Sequence, residues 1–173
     1  MIAQTTLLAP IAQLQECTPA EANGLLVEWK HRMGPLERGQ HGYARPGCYV
    51  LLHHDLPVAV ATHSTLIRDH VGGGLTHLTR ADTIELSRLC AARSGLCRIM
   101  LRMWREFVFP ALGYRFAISY QDAVIHGGYT YKHDGWTRSP EMSRSGTDNR
   151  TDKVGRAKWI WYWELSAARE RSA

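Results

Sequence analysis

Three side chains that can move protons follow one predicted strand within a short stretch of the chain. Asp122 lies just after the strand predicted over residues 115–120, and His126 and Tyr131 follow within nine residues of it. A carboxylate can orient or deprotonate a substrate amine, and a phenol can donate a proton or hold a carbonyl oxygen. These residue types and spacings predict a catalytic role for Asp122 and Tyr131. In the structural alternatives, Asp122 caps a short helix, Tyr131 is a core aromatic and His126 packs at a turn.

One arginine, Arg88, lies inside the apolar stretch 83–90, which predicts another strand. A buried guanidinium needs a carboxylate or a phosphate, because an unpaired buried charge is costly. Two interpretations stay open. Arg88 forms a structural ion pair with Glu85 or Asp122, or it holds a substrate or a cofactor.

The helix predicted over residues 94–109 follows this strand and can offer an anion site. Its apolar residues recur at three- and four-residue steps, and Ser94 is a candidate N-cap. Free N–H groups at a helix N-terminus suit a phosphate, and Arg93 adds a formal charge. Arg93, Ser94 and Gly95 are therefore candidate cofactor-binding residues, the alternative being an ordinary capped helix start. Three further basic residues of the helix predict a solvated face: Arg98, Arg102 and Arg105.

The charge of the chain favours a polyanionic partner, since its net charge is +5 and its pI is about 9.2. Residues 139–157 predict a long, flexible, basic loop that suits contacts to backbone phosphates. Its candidate phosphate-binding residues are Arg144, Arg150, Lys153 and Arg156. Tyr129 and Trp136 can stack on a base that has been extruded from a duplex.

Several elements must position these residues. The patterns predict a helix over 19–32, strands over 48–52 and 57–62 joined by a hairpin turn at 53–55, and a flexible excursion over 67–79. They then predict the strand 83–90, the helix 94–109, the strand 115–120, a short helix or turn over 124–133, a strand from Trp136 and a last strand over 158–165. Trp159, Trp161 and Trp163 fall on one face of that last strand.

The order of these elements predicts an α/β fold in a single domain spanning residues 1–173, with residues 167–173 as a disordered tail. A strand–helix–strand unit in the middle implies neighbouring parallel strands, and the early hairpin implies an antiparallel portion. We therefore expect a mixed sheet with helices packed on it.

The composition also excludes some classes of protein. No apolar run approaches 18 residues, and the first residues lack the basic and apolar segments of a signal peptide. The four cysteines form no CxxC pair, which is typical of reduced thiols in a cytoplasmic protein. The nine histidines match no strong ligand spacing, so we expect no metal.

Several short motifs, in order over residues 20–138, resemble the GNAT acyltransferase fold and, within it, the bacteriophage Mom-type DNA-modification proteins. Residues 84–89 (IELSRL) are similar to the family's Glu-Leu-x-Arg strand, and residues 119–122 (SYQD) to its Ser-Tyr-Ala-Asp strand end. Residues 126–131 (HGGYTY), followed by Gly135 and Trp136, are similar to its Gly-His-x-Gly-x-x-Tyr stretch. Gln40 to Tyr43 is similar to a His-Tyr pair of its N-terminal loop.

This resemblance implies a GNAT-like mixed sheet with helices on both faces and a V-shaped split between the strands that end near Cys90 and Tyr120. Acyl-CoA would place its thioester in the split and its pyrophosphate on the following helix N-terminus, at Arg93, Ser94 and Gly95. Residues 92–97 do not reproduce the usual Arg/Gln-x-x-Gly-x-Gly/Ala motif of GNAT proteins, which leaves the donor open.

The Mom-type resemblance implies a transferase that adds a carbamoylmethyl-type group to adenine N6 in phage DNA, in the cytoplasm of a bacterial host, to block restriction. Four positions would be catalytic: Tyr43, Arg88, Asp122 and Tyr131. Asp122 would act as base or orienter, Tyr131 as acid or carbonyl partner, and Arg88 would position an anionic or carbonyl group. The partner would be double-stranded DNA with an extruded base, contacted by His41, His126, Tyr129, Trp136 and the basic loop.

Two other functions stay open. One is an acetyl-CoA-dependent N-acetyltransferase acting on an amine of a small molecule or a protein. The other is a catalytically inert GNAT-like module that binds nucleic acid. The sequence also leaves the oligomeric state open, a homodimer included.

Overall fold

The computed structural model of the protein describes residues 11–36, 47–143 and 158–165. The predicted basic loop lies outside these ranges beyond residue 143, and so does the predicted tail 167–173. Within the described ranges, no helix has both the length and the apolar character needed to cross a membrane.

The described chain forms one seven-stranded mixed sheet with the strand order β1-β2-β3-β4-β5-β7-β6. The strands are β1 Ala12–Glu16, β2 Gly47–His53, β3 Leu56–Thr65, β4 Thr83–Ala91, β5 Phe116–Asp122, β6 Thr137–Arg138 and β7 Lys158–Glu164. The helices are α1 Pro19–Glu28, α2 Leu96–Met103 and α3 Tyr129–His133. α2 continues into a π-helical segment, Trp104–Val108, and a 3-10 turn, Phe109–Leu112. The predicted strands and helices are present, and β1 is the element that the sequence analysis missed.

The start of α1 and the β2–β3 turn lie where the sequence predicted them, because short-range interactions determine both. At the start of α1 a capping box forms, in which the Thr18 hydroxyl accepts a bond from the Glu21 N–H at 3.2 Å and the Thr18 N–H donates to the Glu21 carboxylate at 2.7 Å. The β2–β3 hairpin turns at His54 and Asp55, whose φ angles are +49° and +61°. Two positive φ angles are typical of the two-residue turn that matches strand twist.

The predicted V-shaped split lies between β4 and β5, and its geometry follows from their register. The two strands are parallel but pair only at Thr83 with Phe116, Ile84 with Ala117 and Glu85 with Ile118. β4 continues to Ala91 and β5 to Asp122, so both strands run on past their last paired residues. The fold prediction of a split, mixed sheet is confirmed.

The segment predicted as a flexible excursion, residues 67–79, packs against the sheet instead. Its apolar residues Val71, Leu75 and Leu78 are buried together with Leu66 in a core cluster that is completed by β5 and β7. Phe116, Ile118 and Ile160 supply the sheet side of this cluster. The prediction failed because the Gly-rich local sequence hid apolar residues that only the sheet partners bury.

The start of α2 also differs from the prediction. Gly95, not Ser94, occupies the N-cap position, with a φ of +89° and no side-chain hydrogen bond to the helix. A glycine adopts this left-handed conformation without strain, and Ser94 is left exposed beside it. The first N–H groups of α2 therefore have no side-chain cap.

A buried carboxylate joins α2 to the turn after α3. The side chain of Asp134 is fully buried and accepts bonds from Arg102 Nε at 3.1 Å, from Arg105 Nε at 2.8 Å and from the Trp136 indole at 3.1 Å. The prediction of a solvated basic face was wrong for Arg105, which is 7 % exposed and lies 4.0 Å from the ring centroid of Trp163. Its partner, Asp134, lies 29 residues further along the chain.

We expect Asp134→Asn to lower the free energy of unfolding by about 1–3 kcal/mol, because it removes the buried charge that Arg102 and Arg105 share, while Glu106 still pairs with Arg105 at 2.7 Å. Glu164→Gln is the matched control. It removes the Glu164 charge from an exposed pair with Arg115, whose atoms are 2.7 Å apart, and should cost less than about 1 kcal/mol. Urea unfolding of both variants measures the difference, and equal losses would contradict the assignment.

Candidate functional site

A bulge in β4 aligns two charged side chains on one face of the sheet beside the split. Glu85 pairs with Ser64 of β3 and Arg88 pairs with Thr62, so the register slips by one residue at Ser87. In a regular strand, residues three apart point to opposite faces. Because the bulge inserts an extra residue, Glu85 and Arg88 share a face about 7 Å apart along the strand.

Glu85 has the properties of a general base. Burial raises the pKa of its carboxyl to about 7, against the opposing effects of Arg88, Lys158 and a hydrogen bond from Ser87. A carboxyl with a pKa near neutrality can both accept and release a proton at physiological pH. The same carboxyl contributes to raising the pKa of Tyr120, which reaches about 12 mainly through burial.

Arg88 is held in place by backbone oxygen atoms. Its Nε donates to the carbonyl of Gly34 at 3.2 Å, and its Nη1 donates to the carbonyl of Ser87 at 2.8 Å. The guanidinium also lies near enough to lower the pKa of Glu85. Arg88 therefore joins the turn after α1 to the wall of the split and brings a fixed positive charge to the face of Glu85.

Two buried polar atoms near Arg88 lack hydrogen-bond partners, and they are the only such side-chain atoms in the described part of the chain. They are Nδ1 of His31 and Oγ1 of Thr62. Burial, together with the charges of Arg88 and His126, lowers the pKa of His31 to about 4, so its ring is neutral near pH 7. Thr62 faces Arg88 across the β3–β4 pair.

On the opposite face, a hydroxyl chain spans the apex of the split. The Ser119 hydroxyl donates to the carbonyl of Leu86 at 3.0 Å and lies 2.8 Å from the Tyr131 hydroxyl. Since the one proton of Ser119 goes to Leu86, Tyr131 is the donor in the second bond. Burial raises the pKa of Tyr131 to about 12, and the bond with Ser119 opposes this rise. Tyr131 thus presents a protonated phenol at the point where the strands separate.

Asp122 has a structural contact at the end of β5. Its Oδ1 accepts a hydrogen bond from the Val124 N–H at 3.0 Å, which stabilises the turn that follows. Asp122 does not cap a helix, as the structural alternative expected, since α3 begins at Tyr129 with Gly128 in the N-cap position. The predicted role of Asp122 as base or orienter stays a prediction.

The remaining residues of this segment divide between surface and core. His126 and Tyr129 are exposed, and Tyr129 is 67 % accessible. Trp136 is only 4 % exposed and donates its indole N–H to Asp134, so it packs in the core and does not offer a face to a base. The prediction that Trp136 stacks on a substrate base is therefore corrected.

The N-terminus of α2 opens beside the split. Arg93, Ser94 and Gly95 are exposed there, and a Cβ placed on Gly95 would meet no atom within 4 Å. The uncapped N–H groups and the arginine fit a phosphate group of a cofactor. Their cofactor-binding role stays a prediction.

Several predicted site residues lie outside the described ranges: His41, Tyr43, Arg144, Arg150, Lys153 and Arg156. Among the described residues, no group of three or more His, Cys, Asp or Glu is placed to hold a metal ion.

The sequence analysis missed two residues of this site. Glu85 was considered only as a partner for Arg88, although its charge inside an apolar strand was a usable signal. Ser119 was part of the SYQD resemblance but was assigned no role, because a serine in a strand is common and its two contacts, to Leu86 and Tyr131, lie 33 and 12 residues away in the chain.

Comparison with solved structures identifies the fold as that of GNAT acetyltransferases. The chain is similar to a Desulfovibrio desulfuricans protein assigned to the GNAT family of acetyltransferases, with 15% identity, a TM-score of 0.59 and coverage of 90% of this chain and 99% of that one. It is similar to a mutant of the spermidine N-acetyltransferase from Vibrio cholerae, with 9% identity, a TM-score of 0.62 and coverage of 94% and 99%. It is also similar to a Bacillus subtilis acetyltransferase in complex with CoA, with 14% identity, a TM-score of 0.55 and coverage of 90% and 98%.

No family model matches the chain, and no curated protein matches it. The low identities mean that these structures show the shared fold alone. Nothing in these comparisons links the chain to the Mom-type phage proteins.

We expect Gly128→Ala to destabilise the protein strongly. Gly128 has a φ of +73°, and an added Cβ would lie 2.6 Å from the Trp161 ring and 2.7 Å from Gln121 Oε1. Gly113→Ala is the matched control, since its φ is +75° but no atom lies within 4 Å. Urea unfolding should show a loss of about 1–2 kcal/mol for Gly113→Ala, from backbone strain, and about 1–3 kcal/mol more for Gly128→Ala, from overpacking.

The raised pKa of Glu85 predicts a pH dependence of stability. The unfolded carboxyl loses its proton near 4.5 and the folded carboxyl near 7. Between these values the unfolded state binds fewer protons, so stability must fall as the pH rises from about 4.5 to about 7. Glu85→Gln lacks this loss, and its stability relative to the unsubstituted protein should therefore increase across that window. A difference that stays constant with pH would contradict the raised pKa.

Proposed function

We propose that the protein is an acyl-CoA-dependent N-acyltransferase that acts on an amine of a small molecule or a protein. The observation that carries the proposal is the pair of groups at the split. Glu85, with a pKa of about 7, lies on one face, and the protonated phenol of Tyr131 lies at the apex on the other. Amine acylation needs a base for the attacking nitrogen and an acid for the leaving group, which matches this pair.

The donor site is supported by the split and by the start of α2. Arg93 and the uncapped N–H groups beyond Gly95 would hold a pyrophosphate, where the helix dipole favours negative charge. The similar Bacillus subtilis structure contains CoA. Acyl-CoA would supply the activated acyl group, and the open space around Gly95 leaves room for its phosphates.

The acceptor amine would lie on the face of Glu85. A protonated amine cannot attack a carbonyl, so its proton must first be removed. The Glu85 carboxylate would accept that proton, because its pKa of about 7 leaves much of it ionised at neutral pH. Glu85 suits this role better than Asp122, whose carboxylate already holds the Val124 N–H.

Tyr131 would protonate the leaving sulfur. Its phenol lies at the apex and stays protonated at neutral pH, because its pKa is about 12. As the C–S bond breaks, the Tyr131 O–H would turn from Ser119 toward the sulfur and transfer its proton there. When Tyr131 gives up its proton, the Ser119 O–H can rotate from Leu86 toward the phenolate and stabilise it. Ser119 is therefore a positioning residue for Tyr131.

DNA modification stays a prediction, and the described residues favour it less than a small-molecule or protein acceptor. The burial of Trp136 removes one of the two expected base-stacking residues. The residues expected to contact phosphates lie mainly outside the described ranges. Double-stranded DNA therefore belongs in the test as one possible acceptor.

The test measures acetyl transfer from acetyl-CoA to amines, with calorimetry of acetyl-CoA binding alongside. Tyr131→Phe should lower kcat by about 10²–10⁴-fold with little change in the affinity for acetyl-CoA. Glu85→Gln should abolish the rise in rate that follows an apparent pKa near 7. Tyr114→Phe is the control, since Tyr114 lies just before β5, at the end of the sheet away from the split, and it should keep full activity.

Absence of both acetyl-CoA binding and transfer to any amine would overturn the proposal. Mass spectrometry of nucleosides from DNA treated with the protein and acetyl-CoA forms a separate arm. A modified adenine there, with no transfer to small amines, would favour the DNA-modifying function instead.

A further inference from the structure

On the Glu85 face of the split, two buried polar atoms beside Arg88 have no hydrogen-bond partner. Thr62 Oγ1 and His31 Nδ1 are buried without a partner, and both flank Arg88. An unsatisfied buried polar group costs free energy, so its persistence in a folded protein needs an explanation. The third group, the Arg88 guanidinium, is fixed by Gly34 and Ser87 and brings a permanent charge to the same place.

These three groups are all potential donors. Thr62 pairs with Arg88 across the β3–β4 register, and the charge of Arg88 acts on His31. A hydroxyl and an imidazole N–H close to a guanidinium can together bind an oxyanion, and a planar guanidinium suits a carboxylate in particular. Two hydrogen bonds of Arg88, to the carbonyls of Gly34 and Ser87, fix the orientation of the guanidinium.

Other basic residues on the Glu85 face also favour an acceptor that carries a negative charge. Arg88 and Lys158 act on Glu85, and Arg68 acts on Tyr120. Among the described residues of β4 and β5, the acidic ones on this face are Glu85 itself and Asp122, which lies opposite Lys158 in the β5–β7 register. A polyamine would meet three cations there, whereas an amine with one negative group would be attracted.

We propose that the acceptor is a small amine that carries a carboxylate, with its nitrogen at Glu85 and its carboxylate at Arg88, Thr62 and His31. This inference rests on the proposed N-acyltransferase function. The β4 bulge sets the spacing, because it places Glu85 and Arg88 on one face about 7 Å apart along the strand. That separation suits short amino acids, in which a few bonds join the nitrogen and the carboxylate.

The experiment compares amino acids with their own carboxamides as acetyl acceptors. Glycine, β-alanine and γ-aminobutyrate are each paired with their amide, and rates are expressed per unprotonated amine, because the amide also has a less basic nitrogen. Spermidine is added as a polycation. For at least one pair, kcat/KM for the acid should exceed that for the amide at least about tenfold, as expected for a charge-assisted hydrogen bond. Spermidine should be a poorer acceptor than that acid.

Two variants test which residues cause the preference for an acid over its amide. Arg88→Gln should bring the ratio of kcat/KM for the acid to kcat/KM for its amide close to one, because the amide has no charge for the guanidinium to bind. Thr62→Val should lower the ratio about threefold or more without lowering Tm, because the hydroxyl that it removes has no partner in the fold. If Arg88→Gln does not fold, the acid-to-amide ratio of Thr62→Val alone still tests the proposal.

Thr83→Val is the matched control for Thr62→Val. Both threonines are fully buried, but the Thr83 hydroxyl donates to Asp82 at 2.8 Å and lies at the other end of β4. Thr83→Val should therefore lower Tm and leave the acid-to-amide ratio unchanged. A lower ratio with unchanged Tm in Thr62→Val, and the reverse in Thr83→Val, would show that the Thr62 hydroxyl binds the acceptor and does not stabilise the fold.

Different results would contradict the carboxylate-bearing acceptor and the acyltransferase function itself. Acetylation of amides as fast as acids, a preference for spermidine, or an unchanged ratio in both Arg88→Gln and Thr62→Val would overturn the carboxylate-bearing acceptor and leave the acyltransferase intact. Absence of transfer to every amine, together with absence of acetyl-CoA binding, would overturn both proposals.

Discussion

The parallel pairing of β4 and β5 ends after three residues, and the candidate site depends on that early end. Beyond Glu85 and Ile118, the backbone groups of the two strands no longer bond to each other. The carbonyl of Leu86, which a longer ladder would occupy, instead accepts the hydroxyl of Ser119, and that hydroxyl aligns Tyr131. A continuous sheet at this point would satisfy the same backbone groups but would leave no opening for a donor and an acceptor to meet.

Packing on both faces holds the walls of the split apart. On one face, buried Asp134 joins α2 to the turn after α3 and so fixes the helix that carries Tyr131. On the other face, the segment containing Val71, Leu75 and Leu78 packs beneath β5. One core cluster packs on both β4 and β5, through Leu86 and Ala117, and a second packs on β5 and β7, so the strands around the split are held by the core of the protein.

The two buried side-chain atoms of the described chain that lack hydrogen-bond partners lie beside this opening. Glu85 has a carboxyl with a raised pKa, His31 has a lowered one, and Nδ1 of His31 and Oγ1 of Thr62 are buried without partners. Elsewhere, a buried charge such as that of Asp134 is fully compensated by its arginines. Folded proteins retain buried polar groups without partners mainly at sites that bind substrates, because the bound molecule supplies the missing hydrogen bonds.

The sequence by itself determined the features that depend on neighbouring residues. The capping box of Thr18 and Glu21, the turn at His54 and the single face of the β7 tryptophans follow from local bonds and from strand periodicity. Tertiary structure alone decided which charges became buried or shifted. Arg105 looked solvated until Asp134 met it, and Glu85 came onto the face of Arg88 only through a bulge that is defined by pairing with β3. Burial and register are set by partners distant in the chain, so no local pattern could have specified them.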